Sequence, residues 1–381
     1  MLGRSGAGGL ALLVGVAVGI AACGTSHPPP AGDGNGGSLP RADPQLGGGD
    51  GGARPTGCGV KDDGTACNCI DVPLFADPPN VYFVLDRSLS MRESAKWEHV
   101  RTTVGRVLRD IGPRASFGAT VFPGLSDDSC GPSQEVMSLR PGDPPSSVDG
   151  PTTSFLLNAT DTIPKGGTPT ATALRDVLQR LQGVPGKTFV VLATDGGPNC
   201  NAALSCDYST CIPNIEEAPG CSAAGPTSCC SGPEQCLDSA ATTAAVASLK
   251  SSGVPVYVVG IPGSAFYAAL LDDLATAGGT AQAGSAKYFR VDVAGDVELL
   301  ATLRRVLAKI VATCTFTLRD PPADPALVNV YLDEVVEPKD ATNGWTLEGS
   351  VVTLRGNACA RVMNGDVLGV RVIAGCPSVI R

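Results

Sequence analysis

The sequence predicts an α/β domain with a mostly parallel central sheet flanked by helices, followed by a small all-β module. Three observations predict it. Short apolar runs alternate with helical stripes over residues 79–313. The clearest of those runs is apolar almost throughout, as in a strand covered on both faces. From 314 to 381 the apolar residues switch to a period of two.

The elements follow in order. Asn80 to Asp86 reads NVYFVLD, a short run with β-branched and aromatic members. A helix comes next, with Trp97, Val100, Val104, Leu108 and Ile111 on one face. His99 lies off that stripe, which suits a solvated helix residue rather than a ligand. A strand at Ser116 to Phe122 follows, with Glu135 to Arg140 able to return beside it as an antiparallel edge. Thr168 to Leu181 reads as a second helix, with Leu174, Val177, Leu178 and Leu181 along one side, Thr168 as N-cap and Pro169 at the first turn. Then come a strand at Phe189 to Thr194, a helix around Ala240 to Leu249 and a strand at Pro255 to Ile261. Helix Phe266 to Ala277, strand Lys287 to Val291 and helix Val297 to Val311 complete the series. In the final segment Phe316 and Leu318, then Val328, Val330 and Leu332, and later Val370 and Val372 alternate. Asn343-Gly344 supplies a turn.

Composition excludes several functions. The 381 residues carry 28 basic and 37 acidic side chains and 4% aromatics, so there is neither a phosphate-binding footprint nor a base-stacking platform for nucleic acid. The only histidines are His27 and His99, which leaves His-dependent triads and His-rich zinc sites almost without material. Fifteen cysteines point to an oxidising compartment.

The N-terminal segment is consistent with export. Residues 1–22 hold one charge, Arg4, and an apolar run from Gly9 to Ala22, shorter than the roughly 20 residues of a membrane-spanning helix. The run ends in Ile20-Ala21-Ala22-Cys23, which resembles the lipobox of bacterial lipoproteins. That resemblance implies removal of 1–22 and lipidation of Cys23. Gly24 resembles the sorting residue of lipoproteins sent to an outer membrane. Without Arg4 the chain has 27 basic and 37 acidic groups, a net charge of −10. Residues 24–57 contain 11 Gly and 6 Pro and almost no large apolar side chain, so they cannot offset their ordering entropy and read as a tether. Its random-coil reach is about 30–35 Å. Residues 23–57 thus form a lipidated tether and 58–78 a cysteine-containing lead-in.

In open α/β sheets ligands sit beyond the carboxyl ends of the strands, so the loops after Asp86, Phe122 and Thr194 are the places to search. Directly after the first strand stands Asp86-Arg87-Ser88-Leu89-Ser90. Gly166-Gly167-Thr168-Pro169-Thr170 opens a helix, and Thr194-Asp195-Gly196 ends a central strand. In order and spacing these segments resemble the von Willebrand factor type A domain, a Rossmann-like fold, and its metal-ion-dependent adhesion site. The resemblance covers about residues 79–312. One departure is Leu89, where many bacterial members have glycine.

Carboxylates and hydroxyls around one point suit a hard dication such as Mg²⁺ or Mn²⁺, which takes oxygen ligands in octahedral array. The resemblance implies that Ser88, Ser90 and Thr168 ligate directly and that Asp86 and Asp195 act mostly through waters. Neutral hydroxyls leave the ion's charge poorly neutralised, so an open position attracts a carboxylate from a partner. The dipole of the helix after Thr168 favours the same incoming anion. Taken singly, the same residues also serve as turn formers and helix caps.

Setting aside Cys23, fourteen cysteines remain. Seven fall in an insertion at 197–238: Cys200, Cys206, Cys211, Cys221, Cys229, Cys230 and Cys236. Seven cannot pair among themselves, and Cys130 lies in a loop expected on the same face, so it is expected to bond one of them and make four bridges. Cys58, Cys67 and Cys69 form one odd trio and Cys314, Cys359 and Cys376 another, which predicts at least one bridge between the trios. Zinc is the rival use of Cys206, Cys211, Cys229 and Cys230, disfavoured by export.

The reading is a lipid-anchored cell-surface protein, on a bacterial envelope and most simply its outer membrane. It binds an acidic group of an extracellular or envelope partner through a metal, with the insertion choosing the partner. The alternatives are a structural envelope protein whose metal only firms the loops, or a metal-dependent hydrolase. The last lacks a general base other than Asp86 or Asp195, which the metal would occupy, so no catalytic residue is assigned.

Overall fold

The computed structural model describes residues 70–72, 78–144, 148–318, 321–333, 335–364, 366–367 and 369–379. The expected export signal, Cys23, the tether and Cys58, Cys67 and Cys69 lie outside the described residues. Among the described residues no helix is long and apolar enough to cross a membrane.

A short strand, β1 (Ile70–Val72), precedes the main sheet. That sheet is built from β2 (Asn80–Asp86), β3 (Ser116–Phe122), β4 (Gln134–Pro141), β5 (Thr188–Thr194), β6 (Val256–Gly260) and β7 (Phe289–Arg290). Its order is β4-β3-β2-β5-β6-β7. All neighbours run parallel except β4, which returns antiparallel along β3. The chain leaves β2 toward β3 on one side and later re-enters beside β2 as β5. The strand order therefore reverses at β2, and a crevice opens beyond the carboxyl ends of β2 and β5.

Every residue of β2 is buried, which explains the apolar run from Val81 to Leu85. Its alternate residues feed two cores. Val81, Phe83 and Leu85 meet Val100, Val104 and Leu108 of α1 (Lys96–Ile111). The same core includes Leu156 of α2 (Pro151–Ala159). Tyr82 and Val84 share the opposite core with Leu174 and Val177 of α3 (Thr170–Leu181). The disulfide-rich insertion contains one short helical turn, α4 (Ile212–Ile215), and is followed by α5 (Ser239–Ser251) and α6 (Ala268–Ala277), which line the second core through Val246, Leu249, Leu271 and Leu274. The last helix, α7 (Asp296–Val311), closes the first core with Leu299, Leu303, Val306 and Leu307. Each such aliphatic side chain contributes about 1.5–3 kcal/mol by leaving water, so the two faces fix the register of β2 on both sides.

The C-terminal segment departs from the expected all-β module. It does form two small antiparallel sheets, from β8 (Thr315–Thr317), β9 (Val328–Leu332), β10 (Val335–Glu337), β11 (Trp345–Glu348), β12 (Val351–Leu354) and β13 (Val370–Ala374). Between β12 and β13, however, α8 (Gly356–Asn364) buries Ala358 and Val362 in the module's core beside Trp345, and its Cys359 is bonded to Cys314. The module also borrows β1, which pairs antiparallel with β13 through Ile70–Val72. The lead-in is thus partly a strand of the C-terminal module. Cys376 is itself disulfide-bonded.

Candidate metal centre

The site begins where β2 runs out. Asp86 aligns with Phe122 of β3, and the Arg87 amide donates to the Phe122 carbonyl at 2.6 Å. The chain then turns, because Asp86 Oδ1 accepts the Ser88 amide at 2.8 Å. Asp86 Oδ2 accepts the Thr194 hydroxyl from the end of β5 at 2.5 Å. Its carboxylate is wholly buried. Burial, and then the neighbouring charge of Asp195, push the Asp86 carboxyl up to about 7. Two carboxylates close together out of water call for a cation.

The hydroxyls follow in a chain. Ser90 Oγ donates to Asp195 Oδ1 at 2.8 Å, and Ser88 Oγ lies 3.1 Å from Ser90 Oγ. Since the Ser90 proton goes to Asp195, the Ser88 hydroxyl is the donor of the second bond. Thr168 arrives from a third loop. A methyl group built on Gly196 would stand 3.7 Å from Ser90 Oγ and 3.8 Å from Thr168 Oγ1. The two hydroxyls thus face one small space, which the absent side chain of Gly196 leaves open. All five predicted residues, Asp86, Ser88, Ser90, Thr168 and Asp195, come together at the carboxyl ends of β2 and β5.

Thr168 does not cap its helix, as the sequence suggested. The first turn of α3 starts at Thr170, with Pro169 in the capping position and no side-chain cap. Thr168 is instead held by its backbone. Its amide donates to Asn199 Oδ1 at 2.7 Å, and the Asn199 amide donates back to the Thr168 carbonyl at 2.9 Å. The preceding Gly167 amide donates to the Ser129 carbonyl at 2.8 Å. Gly166 has φ +84°, and a Cβ there would approach the same carbonyl to 2.6 Å, so only glycine fits.

A disulfide clasps these loops. Cys130 is bonded to Cys200, joining the loop after β3 to the loop after β5. A Cβ on Gly167 would meet the Cys200 sulfur at 2.6 Å, so the bridge lies directly against the Thr168 loop. The other insertion cysteines pair as Cys206–Cys236, Cys211–Cys230 and Cys221–Cys229. As disulfides they offer no thiolates to zinc.

Three functional neighbours escaped the sequence reading. Arg87 is buried, and its guanidinium donates to the carbonyls of Pro123 at 3.3 Å, Ile163 at 2.5 Å and Gly124 at 2.5 Å. It pins the loops after β3 and before α3 to the turn after β2. Asn199 holds Thr168 as described. Lys96 is buried too, and its Nζ lies 2.5 Å from Asp195 Oδ2. A lysine at a helix start, where the dipole disfavours a cation, was the one available signal. Leu89, between the two serines, points outward and is 55% exposed, with its amide donating to the Gly166 carbonyl at 3.0 Å.

The donor set fits a hard dication. It offers two carboxylates and three hydroxyls and no nitrogen or sulfur, the ligand chemistry of Mg²⁺ or Mn²⁺. Among the described residues no group of three or more His, Cys, Asp or Glu assembles that could hold a metal ion. An antiparallel edge strand on a parallel sheet, with these loops at the crossover point, is the architecture expected from the sequence. The fold is that of the von Willebrand factor type A domain.

No protein-family model and no curated protein matches the chain. Solved structures do. The pilus adhesin SpaC from Lactobacillus rhamnosus GG is 16% identical, with a TM-score of 0.46, over 81% of this chain and 41% of its own. The von Willebrand domain of the type V pili tip protein Mfa5 from Porphyromonas gingivalis is 13% identical, with a TM-score of 0.40, over 61% of this chain and 94% of its own. Manganese-loaded TRAP protein from Plasmodium vivax is 14% identical, with a TM-score of 0.37, over 62% of this chain and 76% of its own. The chain thus spans about two-fifths of the length of the pilus adhesin. At these identities the likenesses carry no residue's role into this type A domain, whose site rests on its own geometry.

Proposed function

We propose that this type A domain holds a divalent cation, Mg²⁺ or Mn²⁺, and through it binds a carboxylate of an extracellular or envelope protein. The observation that carries the reading is the meeting of Ser88, Ser90 and Thr168 hydroxyls with the buried Asp86 and Asp195 carboxylates, drawn from three separate loops. In this reading Ser88, Ser90 and Thr168 hold the ion, while Asp86 and Asp195 orient the serine hydroxyls and its waters. When bound, the ion supplies a Lewis-acidic position open to one external oxygen anion. Arg87, Asn199 and the Cys130–Cys200 bridge keep the three loops in register, so that the donors are preorganised before the ion arrives. Nothing in the site acts as a general base apart from the two carboxylates already engaged, so the function is adhesion rather than hydrolysis.

The placement follows from the sequence. We assign residues 1–22 to an export signal, Cys23 to a lipid anchor in the bacterial envelope, most simply the outer membrane, and 23–57 to a tether that holds the domain off the surface. The contacts of Cys200 and Asn199 with the Thr168 loop support a role for the insertion at 197–238 in choosing what the metal binds.

The test is water-proton relaxation with Mn²⁺ as probe. Chelator-stripped protein is expected to enhance the relaxation on adding Mn²⁺, and acetate is expected to reverse part of the enhancement by displacing a bound water. Thr168→Ala, which keeps the backbone bonds to Asn199 and removes only the hydroxyl, should lose both effects while melting as the parent does in chelator. Equal enhancement by the variant, or none by the parent, contradicts the reading.

A further inference from the structure

A buried ammonium lies inside this cation site. Lys96 opens α1 with a side chain only 7% exposed, and its Nζ sits 2.5 Å from Asp195 Oδ2. Its second carboxylate, Glu93 at 3.6 Å, is 76% exposed and screened by water. Glu216 of the insertion is also within electrostatic reach, and it is engaged by the Tyr267 hydroxyl at 2.8 Å.

The fold accepts several costs to place that lysine. A cation at a helix N-terminus opposes the helix dipole. The two residues before it, Ser94 and Ala95, take φ of 50° and 54°, a left-handed conformation that residues with a side chain rarely adopt. Gly263, with φ +110°, makes room on the far side, since a Cβ there would stand 3.3 Å from Nζ. A buried charge that answered no need would be replaced by an apolar side chain at little loss.

Counting buried charges shows the need. With both carboxylates ionised, as a bound dication would require, Asp86 and Asp195 carry two negative charges and Lys96 one positive, so the protein's own groups sum to one net negative charge. A dication brings the sum to one net positive charge. Without Lys96 the same dication would only neutralise the pair. Resting on the metal reading above, we propose that Lys96 is the specificity-determining residue of the site. It is a tethered counter-cation that weakens the hold on the dication and leaves an excess positive charge which only an anionic ligand satisfies. Lys96 thereby exchanges metal affinity for anion selectivity, two properties that a merely structural salt bridge would not move in opposite directions.

The experiment compares the parent protein, Lys96→Met and Lys96→Arg. Calorimetric titration of Mg²⁺ reads the metal, and acetate titrated into the Mn²⁺-loaded protein reads the anion. Lys96→Met is expected to bind Mg²⁺ about tenfold more tightly or better, and acetate about tenfold more weakly, since a like charge a few ångströms away is removed. Lys96→Arg should resemble the parent in both. Unchanged or weaker Mg²⁺ binding by Lys96→Met, or unchanged acetate binding, overturns the proposal while leaving the metal site standing. Absence of Mg²⁺ and Mn²⁺ binding in every protein overturns the metal reading and this inference with it. Should Lys96→Met fail to fold, Lys96→Gln is titrated in its place, and tighter Mg²⁺ binding with weaker acetate binding than the parent is the supporting result.

Discussion

Thr168 and Asn199 hold each other by two backbone-based hydrogen bonds, amide to side-chain oxygen at 2.7 Å and amide to carbonyl at 2.9 Å. Asn199 makes no such contact with any other predicted ligand. It therefore acts as a splint for one hydroxyl. Asn199→Ala is expected to weaken Mg²⁺ or Mn²⁺ binding by roughly 1–2 kcal/mol, the scale of one lost hydrogen bond with an unsatisfied amide. Calorimetry on the metal and a melting curve in chelator check it together. A large loss of stability with unchanged metal affinity would make Asn199 a folding residue only.

The Cys130–Cys200 bridge should matter more to the site than to the fold. It closes a 70-residue loop, and removing such a bridge costs about 2–4 kcal/mol. The domain retains both apolar cores without it. Replacing both cysteines by serine is expected to leave the far-ultraviolet circular dichroism unchanged and to reduce metal affinity, because Gly167, next to Thr168, loses the bridge it lies against. Circular dichroism with calorimetry on the double variant checks it.

Arg87 offers a sharper structural test. Its guanidinium satisfies three carbonyls from two loops, those of Pro123 and Gly124 in buried bonds and that of Ile163 in a half-buried one. Arg87→Met would keep the volume and strand those acceptors, at about 1–3 kcal/mol for each unsatisfied group. Urea unfolding should show a loss of several kcal/mol, and Arg87→Lys should recover only part of it, because a single ammonium cannot span three carbonyls.

Much of the fold could be read from the chain because burial on both faces writes itself into composition. Val81 to Leu85 is apolar throughout since its alternate residues serve two cores, and the stripe from Trp97 to Ile111 is periodic since only one face of α1 is covered. The elements that escaped lack such a signal. In α2, Pro151–Ala159, three hydroxyl-bearing residues interrupt the apolar ones, and Leu156 is buried in a main core with Ala159 packed partly exposed against it. Within α8, Gly356–Asn364 follows a stretch of period two and is held by a disulfide as much as by its stripe. β1 is three residues long and finds its partner 300 residues away, beyond any local pattern.

The site divides in the same way. The five side chains expected to supply oxygen are singled out by the family resemblance of the segments that carry them, and the fold brings those segments to one end of the sheet. The residues that position them are not singled out, since Lys96 meets Asp195 across 99 residues of sequence, and Arg87 reaches only backbone carbonyls, which have no signature. Thr168 looked like a helix cap because a threonine before Pro169 fits that role equally well. Only the Asn199 clasp shows that its backbone is held from elsewhere, leaving the hydroxyl to face Ser90.

Far from the site, Asp143 gives a pH test of the fold. Burial pushes its carboxyl up, yet the Thr152 and Thr153 amides, each donating at 2.8 Å, outweigh burial and hold it below the usual aspartate range. A group whose pKa is depressed by folding adds stability above its unfolded value near 3.8 and loses it as the pH falls through the folded value. Asp143→Asn should therefore melt below the parent at pH 7, and the gap should narrow as acid titrates the parent's carboxylate. Paired thermal melts at pH 7 and near pH 3 check it.

The central claim is that five oxygen-bearing side chains hold one dication. It is tested most directly by calorimetric titration of Mg²⁺ and of Mn²⁺ into the chelator-stripped protein, alongside Asp86→Asn and Thr168→Ala. The account predicts one site per chain in the parent and loss of that site in both variants, with Thr168→Ala keeping the parent's melting temperature in chelator. No heat of binding in the parent, or undiminished binding in the variants, would contradict it.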